Sequence, residues 1–180
     1  YGWNYGPHTD FMAVGREEIR ELALGAEMGG LDGWQYPYEE IVIDDIHVMP
    51  IPDGLPLEPA IAFPISYPTA GAALLWRAHL AKDQWLLAQG AAGGVGLAAL
   101  EIGKAVGAKV IARAGRTKHA MLHAHGADIV LDSALPFRDA VREATGGRGV
   151  DVVLDTLGDE AFHEGLRCLA DGGTLVTVGF

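Results

Sequence analysis

Past residue 83 the chain alternates short apolar runs with longer amphipathic segments, and glycines mark most of the changes. The runs are Trp85–Gln89, Lys109–Ala112, Ile129–Leu131, Val150–Asp155 and Thr174–Val178. Runs this short and this apolar read as strands covered on both faces, as in a parallel sheet. Helices are predicted between them: one that opens at a glycine turn after Gln89, one over Lys118–His125, and one over Phe137–Thr145 stopped by Gly146-Gly147. A fourth begins at Asp159-Glu160, where acids favour a helix start, and runs to about Leu169. Gly172-Gly173 then turns the chain into the last strand. This alternation predicts an α/β fold with a doubly wound parallel sheet of order 3-2-1-4-5. A ligand crevice is expected where the order reverses, between the strands beginning at Trp85 and Val150.

The first 82 residues follow a different pattern. Tyr1–Asp10 is aromatic and turn-rich, and Gly25–Trp34 is a glycine-rich loop. Between them, Gly15–Leu24 carries Ile19, Leu22 and Ala23 at helical spacing, which predicts a short amphipathic helix. Tyr38–Met49 reads as a strand centred on Ile41-Val-Ile43, and Pro50–Pro56 as a turn. Two helices are expected next, Glu58–Ile65 and Pro68–Leu80, the second with a proline suited to its first turn. Three parts result: an α+β appendage over residues 1–44, a connecting region over 45–82, and the doubly wound domain from 83 to 180.

The candidate chemistry centres on Ala91-Ala92-Gly93-Gly94-Val95-Gly96. This is the dinucleotide pattern G-x-G-x-x-G with Ala91 in the first glycine slot, placed between a strand and a helix. Ala92, Gly93, Gly94 and Val95 would border a pyrophosphate, and Gly96 would let the helix lie close on the sheet. Where NAD enzymes place an acid for the ribose hydroxyls, this chain has Arg113, Arg116 and Lys118, three cations within six residues. Cations there favour a ribose phosphate, so NADP(H) is the expected cofactor; a solvated basic loop is the other reading. By the crevice rule alone, the segments holding Leu157 and Val178-Gly179-Phe180 should border the nicotinamide. Asp155 is either a buried acid or an acceptor for local amides.

Net charge is −11 and the acids are spread along the chain, which argues against nucleic acid or an anionic membrane surface as partner. The single Cys168 excludes an intrachain disulfide and a multi-cysteine zinc site, fits a reducing compartment such as the cytoplasm, and reads as a small core residue. The apolar window Trp85–Val106 is interrupted by Gln89, Glu101 and Lys104, and no signal peptide is evident. His119, His123 and His125 lie close together without a metal-site pattern, so no metal is expected. No nucleophile, base or paired-carboxylate arrangement stands out. Hydride transfer needs none, and the catalytic residues stay unassigned.

Several stretches carry a family likeness: Pro50-Ile-Pro-Asp-Gly-Leu-Pro56, Phe63-Pro-Ile-Ser-Tyr-Pro-Thr-Ala70, Gly90-Ala-Ala-Gly-Gly-Val-Gly96, Gly126-Ala-Asp128, Thr145–Asp155, Leu166–Val176 and Val178-Gly-Phe180. In them residues from about 45 to 180 resemble the medium-chain dehydrogenase/reductase superfamily, in its zinc-independent quinone oxidoreductase branch. The resemblance implies an NADPH-dependent oxidoreductase that passes hydride to a quinone or conjugated carbonyl, a small-molecule substrate. It places Thr69 near the nicotinamide and Lys118 at the ribose phosphate. The family's barrel domain before the proline-rich turn is mostly missing, and so are the strand and helices that follow the fifth strand. An incomplete Rossmann sheet with an open edge is therefore expected, with weak NADPH binding, little turnover and homo-oligomers through that edge. A non-catalytic NADPH-binding or sensor module is the alternative. Residues 1–44 resemble, faintly, the SnoaL/NTF2-like cone folds through Phe11–Glu21 and Trp34–Tyr38. That implies a fusion of two fragments near Asp44–Asp45, or a truncated or misassembled product.

Overall fold

The computed structural model describes residues 12–14, 23–24, 48–51 and 53–179. The chain divides into two compact units, Tyr1–Ile65 and Ser66–Phe180. In the first, β1 (Met12–Val14) is the middle of a three-stranded sheet. It pairs antiparallel with β2 (Ala23–Leu24) and parallel with β3 (Val48–Pro50). The helix predicted over 15–24 therefore does not reach its stated end. Ala23 and Leu24 commit their backbone groups to the ladder with Ala13 and Met12, and a segment cannot serve helix and ladder at once. Of the strand expected over 38–49, Val48 and Met49 lie in β3. Ile41-Val-Ile43, Tyr1–Asp10 and Gly25–Trp34 lie outside the described residues.

The next correction concerns the proline-rich region. One helix, α1, runs over Leu57–Gly71 and passes directly into a wider π-helical stretch, Ala72–Arg77, where two separate helices were expected. Pro64 and Pro68 each remove one backbone donor inside α1, yet a proline's fixed φ is itself helical, so the chain continues at the cost of lost bonds. In the π stretch the Ala78 amide donates to the Ala73 carbonyl, five residues back, at 3.0 Å. The helix ends at His79, whose φ is +51°. Ala70, Ala73 and Leu74 are buried in the core of the second unit.

The second unit holds a five-stranded sheet in the order β6-β5-β4-β7-β8. Its strands are β4 (Trp85–Gln89), β5 (Lys109–Ala114), β6 (Ile129–Asp132), β7 (Val150–Asp155) and β8 (Leu169–Thr177), and every pairing is parallel. This is the predicted order. Alternate residues of each strand serve two cores. Leu86, Ala88, Val110 and Ala112 pack with Ala98, Ala99 and Leu100 of α2 (Gly94–Ala105) and with Leu122 of α3 (His119–Ala124). On the opposite face Leu87, Ile111 and Val153 pack with Val141 of α4 (Arg138–Ala144) and Cys168 of α5 (Asp159–Cys168). Helices on both faces make the sheet doubly wound.

Two details differ from expectation at β8. The strand begins directly after α5, and Gly172-Gly173 lie within it. Val150 pairs with Leu169 and Val152 with Thr174, so β8 advances five residues while β7 advances two. Gly172, at φ +77°, carries the chain through that excursion, and the turn read there survives as a bulge. No helix among the described residues is long and apolar enough to cross a membrane.

Two carboxylates secure the N-terminal edge of the sheet. Asp151 accepts the Trp85 amide at 2.7 Å and an ion pair from Arg148. Asp128 accepts the Val110 amide at 2.7 Å and Lys104 Nζ at 2.7 Å, which ties the end of α2 to the entry of β6. Burial pushes the Asp128 pKa up, but the bonds from Lys104 and Val110 outweigh it and the net shift is downward. A depressed folded-state pKa gives stability that is complete above the unfolded value and lost as pH falls through the folded one. Asp128→Asn should therefore lower stability at pH 7 by about 1 kcal/mol, discounted for the pair's exposure. In urea titrations the difference from wild type should shrink toward pH 3.

Candidate functional site

Strand β4 ends at Gln89, and the turn begins at Gly90 with φ +64°. The Gly93 amide donates to the Gly90 carbonyl at 3.1 Å, and the Ala91 amide to the Arg113 carbonyl at 3.2 Å. Gly93 then caps α2 without any side-chain bond to the helix amides. The amides of Gly94, Val95 and Gly96 precede the first residue with an intrahelical acceptor, Leu97, which bonds to Gly93 O at 2.9 Å. Gly93 and Gly94 are exposed, Ala92 and Val95 are half-buried, and Gly96 is buried. A Cβ on Gly96 would lie 2.5 Å from Gly90 O and 2.6 Å from Ala91 Cα. Only glycine permits that approach, and it leaves a bare, uncapped helix start facing outward. Such a start suits a diphosphate: free donors and the positive end of the helix dipole coincide there.

Neighbouring segments converge on this corner. A Cβ on Gly94 would meet Ser66 Oγ at 2.6 Å, so the last turns of α1, with the half-buried Thr69, pass beside the glycine turn. On the other side, Thr156 Oγ1 donates to the Gln89 carbonyl at 3.1 Å. Leu157, about half exposed, lies beside Gly90. Asp155 is fully buried and accepts the amides of Leu157 and Gly158, each at 3.1 Å, so it organises the turn after β7. The Val178 amide bonds to the Asp155 carbonyl at 2.9 Å, which holds Val178 and Gly179 at the same end of the sheet. Phe180 lies outside the described residues.

The three cations separate. Arg116 and Lys118 occupy a short 3-10 turn, Arg116–Lys118, and both are exposed. Arg116 Nε reaches Asp132 Oδ2 at 3.3 Å with its side chain 80% exposed. Arg113 is on β5 with its side chain on the face opposite α2. It donates through Nη2 to the Ser133 carbonyl at 2.7 Å and lies 4.4 Å from the Phe137 ring centroid. Burial lowers the pKa of its guanidinium, and Asp132 works in the other direction.

Two features went unread in the sequence. Gln89 is fully buried and donates through Nε2 to the Ala161 carbonyl at 2.8 Å; its signal was a polar residue closing an apolar run. A cleft of about 550 Å³ lies at the carboxyl ends of β5 and β6 against α5, lined by Arg113, Ser133, Phe137, Ala161, His163 and Arg167 among others. Its lining comes from three segments far apart in sequence, so no local pattern announces it. The histidines are engaged separately: His119 with Ala114 O at 3.2 Å, His123 with Ala127 O at 3.0 Å, His125 with Glu101 at 2.7 Å. Glu101 also accepts the Tyr67 hydroxyl, and that bond, aided by burial, pushes the Tyr67 pKa up to about 12. Cys168 is buried and its thiol pKa is pushed up to about 11, chiefly by desolvation.

A doubly wound sheet with a glycine turn and an uncapped helix at its switch point is a Rossmann-type nucleotide-binding architecture. Residues 94–180 match the family model described as zinc-binding dehydrogenase. The chain is 40% identical over 171 residues to erythronolide synthase EryA2 of Saccharopolyspora erythraea, an alignment covering 93% of this chain and 5% of that protein. It is 37% identical over 166 residues to quinone oxidoreductase-like protein 2 of Bos taurus, covering 91% and 48%. The chain thus spans less than half the length of either relative. Among solved structures it is similar to the nucleotide-binding subdomain of the enoylreductase domain of PpsC from Mycobacterium tuberculosis, at TM-score 0.62 and 39% identity, covering 66% of this chain and 67% of that one. The chain belongs to the medium-chain dehydrogenase/reductase superfamily.

Gly96 gives this corner a direct test. Gly96→Ala should cost about 3 kcal/mol in urea denaturation, at the upper end for overpacking, because backbone atoms that cannot move block the methyl. Gly94→Ala should cost less than about 1 kcal/mol, since Ser66 Oγ can rotate away and alanine favours the helix.

Proposed function

We propose that this chain is the nucleotide-binding part of an NADPH-dependent reductase of quinones or other conjugated carbonyls, enoyl groups included. The observation that carries the proposal is the uncapped start of α2 at the switch point, with the exposed Arg116 and Lys118 following the adjacent strand. In this reading the amides of Gly94, Val95 and Gly96 receive the diphosphate, with Gly93 and Ala92 at its edge. Arg116 and Lys118 draw in the ribose phosphate. Thr69, Leu157, Val178 and Gly179 border the nicotinamide end. The bound reduced nicotinamide supplies a hydride for the electron-poor carbon of the acceptor. The chain's own contribution is to hold and orient the cofactor. The printed names of the relatives, quinone oxidoreductase-like and enoylreductase, support this acceptor class. The cleft against α5 lies at the end of β5, with Arg113 in its lining, which fits the adenosine half.

Titration of the chain with NADPH and with NADH tests the reading. NADPH should bind at least about tenfold more tightly, equivalent to about 1.4 kcal/mol. The double variant Arg116→Glu/Lys118→Glu should abolish that preference while leaving NADH affinity close to wild type. Equal affinity of the wild-type chain for the two cofactors would refute the assignment of the basic turn.

A further inference from the structure

We infer that Arg113 is a positioning residue: it latches the loop between β6 and α4 to the end of β5, shaping one wall of the cleft, and is not a phosphate ligand. Strand parity sets this role. Val110, Ala112 and Ala114 face α2, so Arg113 projects with Ile111 toward Phe137. Its guanidinium is committed there in two ways, through the 2.7 Å bond to the Ser133 carbonyl and through the Phe137 ring, an arrangement that planar guanidinium makes and an ammonium does not. Its Nε is buried without a partner among the described residues, so the inner side of the guanidinium lies against the fold while the half-buried side chain lines the cleft. Gln89, its register partner on β4, points to the same face and is fully buried.

The latched loop is otherwise held by local turns, with the Leu135 amide on the Asp132 carbonyl at 3.2 Å. The Ser133 amide bonds to the Ala114 carbonyl at 3.0 Å, and the Ala134 amide bonds to the Asp132 carboxylate at 3.0 Å. Ser133, Ala134, Leu135, Pro136 and Phe137 all line the cleft, so whatever fixes this loop fixes the cleft wall. Arg116 stands on the exposed side of the same loop through Asp132. The two arginines thus divide the work, one shaping the wall and one facing solvent. That the wall receives cofactor rests on the function proposed above. The latch itself does not.

Hydrogen exchange on the cofactor-free chain separates the two. In Arg113→Lys, which keeps the charge, the amides of Ser133–Leu135 should exchange about tenfold faster or more, while strand amides of β4 and β7 stay unchanged. Phe137→Leu, which leaves Arg113 in place but removes the ring, should loosen the same amides. Both variants should weaken NADPH and NADH by a common factor, leaving their ratio within about twofold of wild type. Unchanged exchange in Arg113→Lys would overturn the latch. So would a selective loss of NADPH affinity, which would make Arg113 a phosphate ligand. Should the wild-type chain bind neither cofactor, the proposed function fails and the exchange data alone decide the latch.

Discussion

The backbone of α2 passes so close to the turn that feeds it that no side chain fits between them. Gly96 sits where even a methyl would overlap Gly90 O and Ala91 Cα. That contact sets the angle at which α2 leaves the strand, and the rest of the helix follows from it. Ala98, Ala99 and Leu100 are buried because the helix starts flush with the sheet, and Gly103 sits against Leu86 and Val110 farther along. Glycine is a poor helix former, at roughly 1 kcal/mol per position relative to alanine. The apolar area that close packing buries, at about 25 cal/mol per Å², outweighs that loss over a helix with almost no polar face. The uncapped amides at its start are a by-product of the same geometry.

The two edges of the sheet are built in opposite ways. At the N-terminal edge, Asp128 and Asp151 take up strand amides and pair with Lys104 and Arg148, so side chains close the ladder. At the carboxyl edge the carbonyls and amides bond to turns: Thr156 to Gln89, Val178 to Asp155, Ala91 to Arg113. Buried Asp155 serves there too, but as an acceptor for the amides of its own turn. The first edge is tied by long side chains and the second by short loops. The cleft described above lies at the second, at the ends of β5 and β6.

Much of the second unit was legible in the sequence because strands covered on both faces must be short, apolar and flanked by breakers. Trp85–Gln89 and Val150–Asp155 met those conditions and have the boundaries expected of them. The order of the strands followed from the strand-helix alternation, for which the doubly wound sheet is the expected arrangement. Legibility failed where a local rule met a tertiary constraint. Pro68, suited to a first turn, suggested a new helix there, yet α1 runs through it into a π-helical turn whose Ala73 and Leu74 are buried. The period of Ile19, Leu22 and Ala23 suggested a helix, yet Ala23 and Leu24 found a strand partner in β1. The glycine turn was plain as a pattern, whereas the cleft was invisible, since its walls come from the ends of β5, β6 and α5.

The basic cluster shows how far a one-dimensional reading goes. Three cations in six residues of a chain with net charge −11 are a local anomaly, and the sequence treated them as one group. A strand alternates its side chains, and a turn does not. Arg113 is still inside β5, so the pleat decides its direction, and it points into the fold toward an aromatic ring. Arg116 and Lys118 come after the strand has ended, where the 3-10 turn leaves them in solvent. Charge counting therefore does not separate a cation that lines the cleft from the two on the exposed turn. Those two still matter. An acidic protein repels an anionic ligand at long range, so the exposed pair Arg116 and Lys118 counts for more locally than its share of the total charge. Screening limits their field to about 8 Å at physiological salt, so it acts only close to the turn.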